Sequence, residues 1–342
     1  MSRTVLFLLL FSVLLGCSSA QQRIVFGSCM DQNRQQIAWN ALKSAKPVLA
    51  ILMGDNVYGD THGGRDLSPL KMAYETLEQS PAFQSFQQAV PIFATWDDHD
   101  YGDNDAGADF RGRKESERLF LDFWGVPIDD ERRSRAGIYF ERRLSLSNRI
   151  FQFIMLDTRS FRSPLLPSTR PGPGTERYLP DRTPGKTMLG EKQWQWLQST
   201  LKQPADVRVL VSSIQVLADE HGYECWNNLP RERERLLRYL TSAGPGALII
   251  LSGDRHMGAL YRHTYQGREV YEATSSALNM RISNVLQPRT GSSQVSPWMF
   301  EENYGELIVQ ENADELRLSL VEVRSGAVKQ SLLVPLGASP GE

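Results

Sequence analysis

The sequence predicts an α/β fold with a mixed sheet. Three observations predict it. Short apolar runs alternate with amphipathic helical patterns, the arrangement that builds parallel pairing. Three of those runs end directly in acidic motifs: Val48–Met53 before Gly54-Asp55-Asn56-Val57-Tyr58, Val90–Thr95 before Trp96-Asp97-Asp98-His99-Asp100, and Ala247–Ser252 before Gly253-Asp254-Arg255-His256. The C-terminal stretch carries strands without intervening helices, which adds antiparallel pairing.

The elements follow in order. Ile24–Phe26, Val48–Met53, Val90–Thr95, Ile150–Leu156, Val207–Ser212, Ala247–Ser252 and Val270–Thr274 are short, β-branched or aliphatic, and read as strands. Helical patterns fall between them. Asn33–Ser44 follows the first strand and Glu115–Trp124 precedes the fourth. Glu191–Leu201 sets Trp194 and Leu197 at helical spacing. Arg231–Leu240 gathers Leu236, Leu237 and Leu240 opposite a charged face. Leu307–Gln310, Leu316–Val323 and Val328–Val334 form the all-β tail, with Arg324-Ser325-Gly326 as the last turn.

The chain has 342 residues, enough for one large domain or two ordinary ones, and neither repeat nor linker divides it. A net charge of −2 argues against a nucleic-acid-coating surface. Residues 1–20 read as an export signal and tether, and 21–338 as the folded domain. Arg3 gives a positive start, and the apolar run Val5–Leu15 is too short for a permanent span. Leu14-Leu15-Gly16-Cys17 resembles a bacterial lipobox, so Cys17 is the expected lipid attachment site. That would tether the domain to a membrane in the cell envelope. Ordinary cleavage near Ser19-Ala20 is the alternative.

Cys29 and Cys225 remain. Outside the cytoplasm they could pair as a disulfide; Cys29 could instead be a thiolate ligand, or simply buried. Residues 162–186 are rich in Pro and Gly and carry Arg162, Arg170, Arg177, Arg182 and Lys186. They read either as a cationic lid that attracts anionic substrate or as a solvated loop.

The chemistry concentrates after the strands, where open α/β sheets bind ligands. Asp55 follows a glycine that lets the backbone turn sharply; a carboxylate there can bridge two cations. Tyr58 offers a phenolate, which selects a hard, acidic ion such as Fe(III). Asp98-His99 pairs a carboxylate ligand with an imidazole suited to protonate a leaving oxygen. Trp96 among so many acids implies a partly buried pocket whose carboxylates need cations. Asp103 or Asn104 could hold a further ion. Asp254 and His256, at i and i+2, would face one metal if the segment is extended. Arg159, in Leu156-Asp157-Thr158-Arg159, could fork onto phosphate. Gln215 is a weaker ligand candidate. His62, His221 and His263 read as surface or structural. Neither a Walker-type loop nor a Gly-x-Ser-x-Gly elbow competes.

Gly27-Ser28-Cys29, Gly54-Asp55-Asn56-Val57-Tyr58, Thr95-Trp96-Asp97-Asp98-His99-Asp100, Leu156-Asp157-Thr158-Arg159 and Gly253-Asp254-Arg255-His256 together resemble the alkaline phosphatase D (PhoD-like) family of metallophosphoesterases. Cys225–Arg233 resembles a further stretch. The resemblance implies a metallophosphatase-type sandwich of two mixed β-sheets flanked by helices. It implies Fe(III) on Cys29, Asp55, Tyr58 and His256, and a second ion, often Ca(II), on Asp55, Asp98 and Asp254. Manganese or zinc would be the substitutes. A metal-bound hydroxide would attack the phosphorus of a phosphodiester or phosphomonoester in line, with His99 beside the leaving group. The chain departs from some members in lacking a twin-arginine signal and a long N-terminal β-domain. Two rivals stand against a hydrolase: a non-catalytic metal- or anion-binding surface lipoprotein on the same fold, and a nuclease, which the acidic balance disfavours.

Overall fold

The structure is a computed structural model, and it describes residues 21–170, 177–282 and 289–336. Cys17, the signal, and Pro171 to Gly174 of the basic loop lie outside the described residues. No described helix is long and apolar enough to cross a membrane.

Along the chain run β1 (Gln22–Gly27), α1 (Ile37–Ser44), β2 (Leu49–Met53), α2 (Ser68–Glu78), α3 (Pro81–Ala89), β3 (Ile92–Thr95), the short α4 (Asp98–Tyr101) and α5 (Arg113–Phe123). Then come β4 (Phe140–Leu146), β5 (Arg149–Met155), a small hairpin of β6 (Leu166–Pro167) and β7 (Tyr178–Leu179), α6 (Gly190–Leu201), β8 (Val207–Ser212) and α7 (Pro230–Thr241). The chain continues through β9 (Ala247–Ser252), β10 (Gly258–Tyr265), β11 (Arg268–Ser275), β12 (Asn303–Val309), β13 (Glu315–Glu322) and β14 (Val328–Pro335).

Two six-stranded mixed sheets result, ordered β14-β13-β12-β1-β2-β3 and β10-β11-β9-β8-β5-β4. In the first, β1, β2 and β3 are parallel, while β12 pairs antiparallel to β1 with Ile24 opposite Leu307. In the second, β5, β8, β9 and β11 are parallel and β4 and β10 close the edges antiparallel. All-β tail and parallel strands therefore share one sheet.

Strand alternation decides the layers. Ile24, Phe26, Ile51 and Met53 meet Phe151, Phe153, Val209, Val211 and Ile249 in the core between the sheets. Their neighbours Val25, Ala50 and Leu52 face outward and are covered by Trp39, Leu70, Phe83 and Phe120 from α1, α2, α3 and α5. Ile154, Leu210 and Ile250 are covered by Trp194, Leu197, Leu236 and Leu237 of α6 and α7. Each such burial contributes about 1.5–3 kcal/mol, so both sheet faces are held firmly. The parallel strands consequently present one rigid row of C-terminal ends.

Helix α1 starts at Ile37, four residues after its expected beginning. Asp31 accepts the Asn33 N–H at 2.9 Å, and the Gln36 amide donates to the carbonyls of Asp31 and Arg34, so the preceding segment is locked as a turn.

Candidate dinuclear metal centre

Every motif lands on that row. Cys29 follows β1, Asp55 follows β2, Asp97 and Asp98 follow β3, Asp157 follows β5, Asp254 follows β9 and Ser276 follows β11. Four of the ligand candidates hold the left-handed region: Cys29 (φ 63), Asp55 (φ 48), Asp254 (φ 68) and His256 (φ 55). L-residues disfavour it, so the surrounding structure must impose it. Gly54 (φ +102) is required outright: a Cβ there would stand 2.5 Å from the Asp97 Cβ. Gly253 is equally confined, with Ser28 Oγ 2.4 Å from the Cβ it would carry.

Asp100 ties two motifs together. Its carboxylate accepts the backbone N–H groups of Asp55 (3.2 Å), Asn56 (3.1 Å) and Asp97 (2.5 Å). The β2 and β3 ends are thereby fixed relative to each other before any ligand arrives.

The donor atoms form two linked clusters. In one, ligand atoms of Cys29, Asp55 and His256 all lie within 4.8 Å of one another. The Tyr58 hydroxyl joins them, 3.2 Å from Asp55 Oδ2 and 3.0 Å from His256 Nε2. In the other, Asp97, Asp98 and Asp254 meet the same criterion, and Asp55, Asp98 and His99 connect the two. Asp98, Asp105 and Glu224 make a further acidic group. Asp254 and His256 thus serve different clusters. The segment between them is bent into left-handed turns rather than extended, so the i, i+2 expectation of one shared metal does not hold.

The donor chemistry fits cations. Burial pushes the Cys29 thiol up to about 11 and raises Asp55 well above the usual carboxylate range, with the neighbouring Cys29 and Asp98 charges adding to it. Burial likewise drives Asp254 up to about 6, against the pull of Arg255. Burial and the Arg255 charge lower His256 to about 4, leaving its imidazole free to ligate. Asp254 Oδ2 is buried and accepts no hydrogen bond. A crowd of buried acids with an unused acceptor is what a positive ion would relieve.

His99 is held differently. Its Nδ1–H donates to Asp60 Oδ2 at 2.8 Å, which leaves Nε2 for another partner. Burial alone would lower its pKa, but the charges of Asp98, Asp55 and Asp60 prevail and push it up to about 11. The ring also packs at a tilt against Tyr58, centroids 4.4 Å apart.

Several expectations change. Arg159 does not offer an open fork for phosphate: it is fully buried, its Nε donates to Asp97 at 2.6 Å and its Nη1 to Glu224 at 2.7 Å. It cancels acidic charge beneath the site instead. Cys29 and Cys225 are both free and buried, so they form no disulfide. Asp103 accepts the N–H groups of Thr61, His62 and Gly63 and is spent on a loop. Gln215 donates to Tyr261 and Thr274. In the basic loop, Arg162 pairs with Glu224, Arg177 with Asp105 and Lys186 with Asp181, so much of its positive charge is neutralised locally.

Asp60, Asp97, Asp105 and Glu224 were not singled out from sequence. Asp97 stood inside a quoted motif and Asp60 five residues beyond Asp55. Glu224 adjoins the Cys225–Arg233 stretch, yet follows no strand, so nothing in its surroundings marked it.

The PhoD-like phosphatase family matches residues 25–329. Alkaline phosphatase D of Bacillus subtilis (strain 168) is 23% identical over 284 residues, covering 70% of this chain. The chain spans about half of that relative's length, 47%. A solved structure described as that of PhoD superposes with a TM-score of 0.68 at 16% identity, covering 93% of this chain and 72% of the other. A second, described as GAP50, the anchor in the inner membrane complex of Plasmodium, gives a TM-score of 0.60 at 15% identity over 94% and 90% of the two chains. With the family match running from β1 into β14 and the motif residues gathered at one sheet edge, the chain belongs to the PhoD-like phosphatase family.

Proposed function

We propose that this protein is a metal-dependent phosphoric ester hydrolase, acting on phosphomonoesters or phosphodiesters outside the cytoplasm. One observation carries the proposal: Cys29, Asp55, Tyr58 and His256 converge on one side, and Asp98 and Asp254 on the other, with His99 alongside.

Cations held by those residues would supply Lewis acidity to phosphoryl oxygens and an activated water. Asp55 belongs both to the Cys29 cluster and to the group with Asp98 and His99, so its carboxylate would serve cations on either side. Asp98 is fixed by the Asp105 N–H at 2.6 Å, which keeps its remaining lone pairs on the site. Asp60 orients the His99 ring by accepting its Nδ1–H, so the ring, when protonated, presents Nε2–H to a departing oxygen. The donor types favour iron with calcium over two identical ions, since thiolate and phenolate suit the former and carboxylates alone the latter. Export and lipid attachment rest on Leu14-Leu15-Gly16-Cys17; a Cys17→Ala protein that still partitions with membranes would remove the anchor.

The test is elemental analysis joined to turnover of 4-nitrophenyl phosphate and bis-4-nitrophenyl phosphate. Metal-loaded protein that hydrolyses neither, nor any of a panel of phospholipids, would sink the hydrolase and favour the binding lipoprotein.

A further inference from the structure

Arg255 lies between two ligand candidates and has no role in the reading above. Its side chain is only 8% exposed, yet its Nε makes no hydrogen bond. Among the described residues its ion-pair neighbour is Asp254, with Nη1 3.6 Å from Oδ2, beyond hydrogen-bond reach. Arg162 and Arg208 also leave Nε without a hydrogen bond, but each satisfies other guanidinium nitrogens, whereas no side-chain hydrogen bond of Arg255 is found among the described residues. Arg132 forks onto Asp130, Arg159 onto Asp97 and Glu224, Arg162 reaches Glu224, and Arg208 donates to three backbone carbonyls. A buried N–H without an acceptor is costly unless a ligand supplies one.

The surroundings brace it. The Arg255 guanidinium carbon sits 4.3 Å from the centroid of the Tyr223 ring. His221 is 7% exposed; its Nδ1 accepts the Tyr223 N–H at 3.1 Å, which places the imidazole proton on Nε2. That Nε2–H is also buried without a partner. Burial and then the nearby Arg255 charge keep this imidazole neutral, so it is a donor and adds no repulsion. Two buried, unused donors therefore flank one aromatic ring at the edge of the Asp254 cluster.

We infer that Arg255, braced by Tyr223 and assisted by His221, is a subsite for the terminal, dianionic phosphate of a phosphomonoester. The inference rests on the hydrolase reading and names its substrate class. A monoester presents three non-bridging oxygens and two charges; a diester presents two and one. The extra oxygen and charge are what an additional planar, permanently charged donor recognises.

The experiment uses the metal-loaded protein. Inorganic phosphate is the probe in calorimetry, and the two nitrophenyl esters are the substrates. Arg255→Gln is expected to weaken phosphate binding and lower kcat/KM for 4-nitrophenyl phosphate by about 10- to 100-fold, chiefly through KM, the range lost with one charge-assisted contact. The bis-ester should change by less than about threefold, and Arg255→Lys should recover part of the loss. Equal losses on both esters, or unchanged phosphate affinity, overturn the inference. Should Arg255→Gln not fold, Tyr223→Leu removes the brace, and unchanged phosphate affinity there overturns it too. If the unmutated protein hydrolyses neither ester, the hydrolase reading falls separately. Phosphate calorimetry then still decides the subsite: affinity lost with Arg255 supports it, and no affinity in the unmutated protein defeats it.

Discussion

On one side of Asp55 stand a thiol, a phenol and an imidazole; on the other stand the carboxylates of Asp97, Asp98 and Asp254. Both sides are buried at the ends of the same parallel strands, so position does not distinguish them. Chemistry does. The first mixes borderline and hard donors that suit a transition ion, while the second offers oxygen alone. The lesson is that one sheet edge can gather two unlike donor sets at close quarters, with a single carboxylate linking both.

The largest effect expected from breaking this comparison is at the shared residue. Asp55→Asn should remove ions from both sides together and cut hydrolysis by more than the roughly 10²–10³-fold typical of losing one electrostatic stabiliser. Elemental analysis beside turnover reads it; retention of both ions would show that the clusters do not share Asp55. His99→Ala comes next, with kcat lowered by about 10²–10⁴-fold as for loss of a general acid and both ions retained. Unchanged turnover would take His99 out of the mechanism.

Stability sharpens the contrast further. Glu224 faces Arg159 and Arg162 on the carboxylate side, fully buried. Glu224→Gln should destabilise the fold by about 3–5 kcal/mol, the usual cost of leaving a buried charge unpaired, as read by denaturant titration. Gly54→Ala should cost about 2 kcal/mol or more, since its φ of +102 and the Asp97 contact both oppose a side chain. The smallest effects separate the two thiols. Cys29→Ser should lower iron content selectively while calcium stays. Cys225→Ser, also buried but a member of none of the donor clusters, should leave both ions in place. Matching losses in both variants would assign Cys29 to packing.

Much of this was legible because it sits beside strands. Val207–Ser212 and Ala247–Ser252 were read to the residue, being largely apolar and buried on both faces. The strands β4 and β10 escaped. Both are sheet edges, and Glu141, Arg142 and Arg143 give β4 a polar surface that no apolar run betrays. Helix α2 was there to find: Leu70, Ala73, Tyr74 and Leu77 follow helical spacing after a first-turn proline. The pairing of the all-β tail onto β1 could not be read, because register between distant segments depends on the assembled core. At the site, most ligand candidates inside motifs were found, Asp97 excepted, and residues acting through others were not. Asp60 works by gripping His99 and Glu224 by neutralising two arginines, and neither role leaves a local pattern.

The left-handed backbone at Cys29, Asp55, Asp254 and His256 has a consequence for mutational tolerance. At these four positions substitutions should rank by torsional comfort as well as by donor chemistry. Asparagine and glycine would preserve folding while valine and isoleucine would not, even in protein prepared without ions. A library selected only for soluble expression, blind to catalysis, would therefore still trace the outline of the centre.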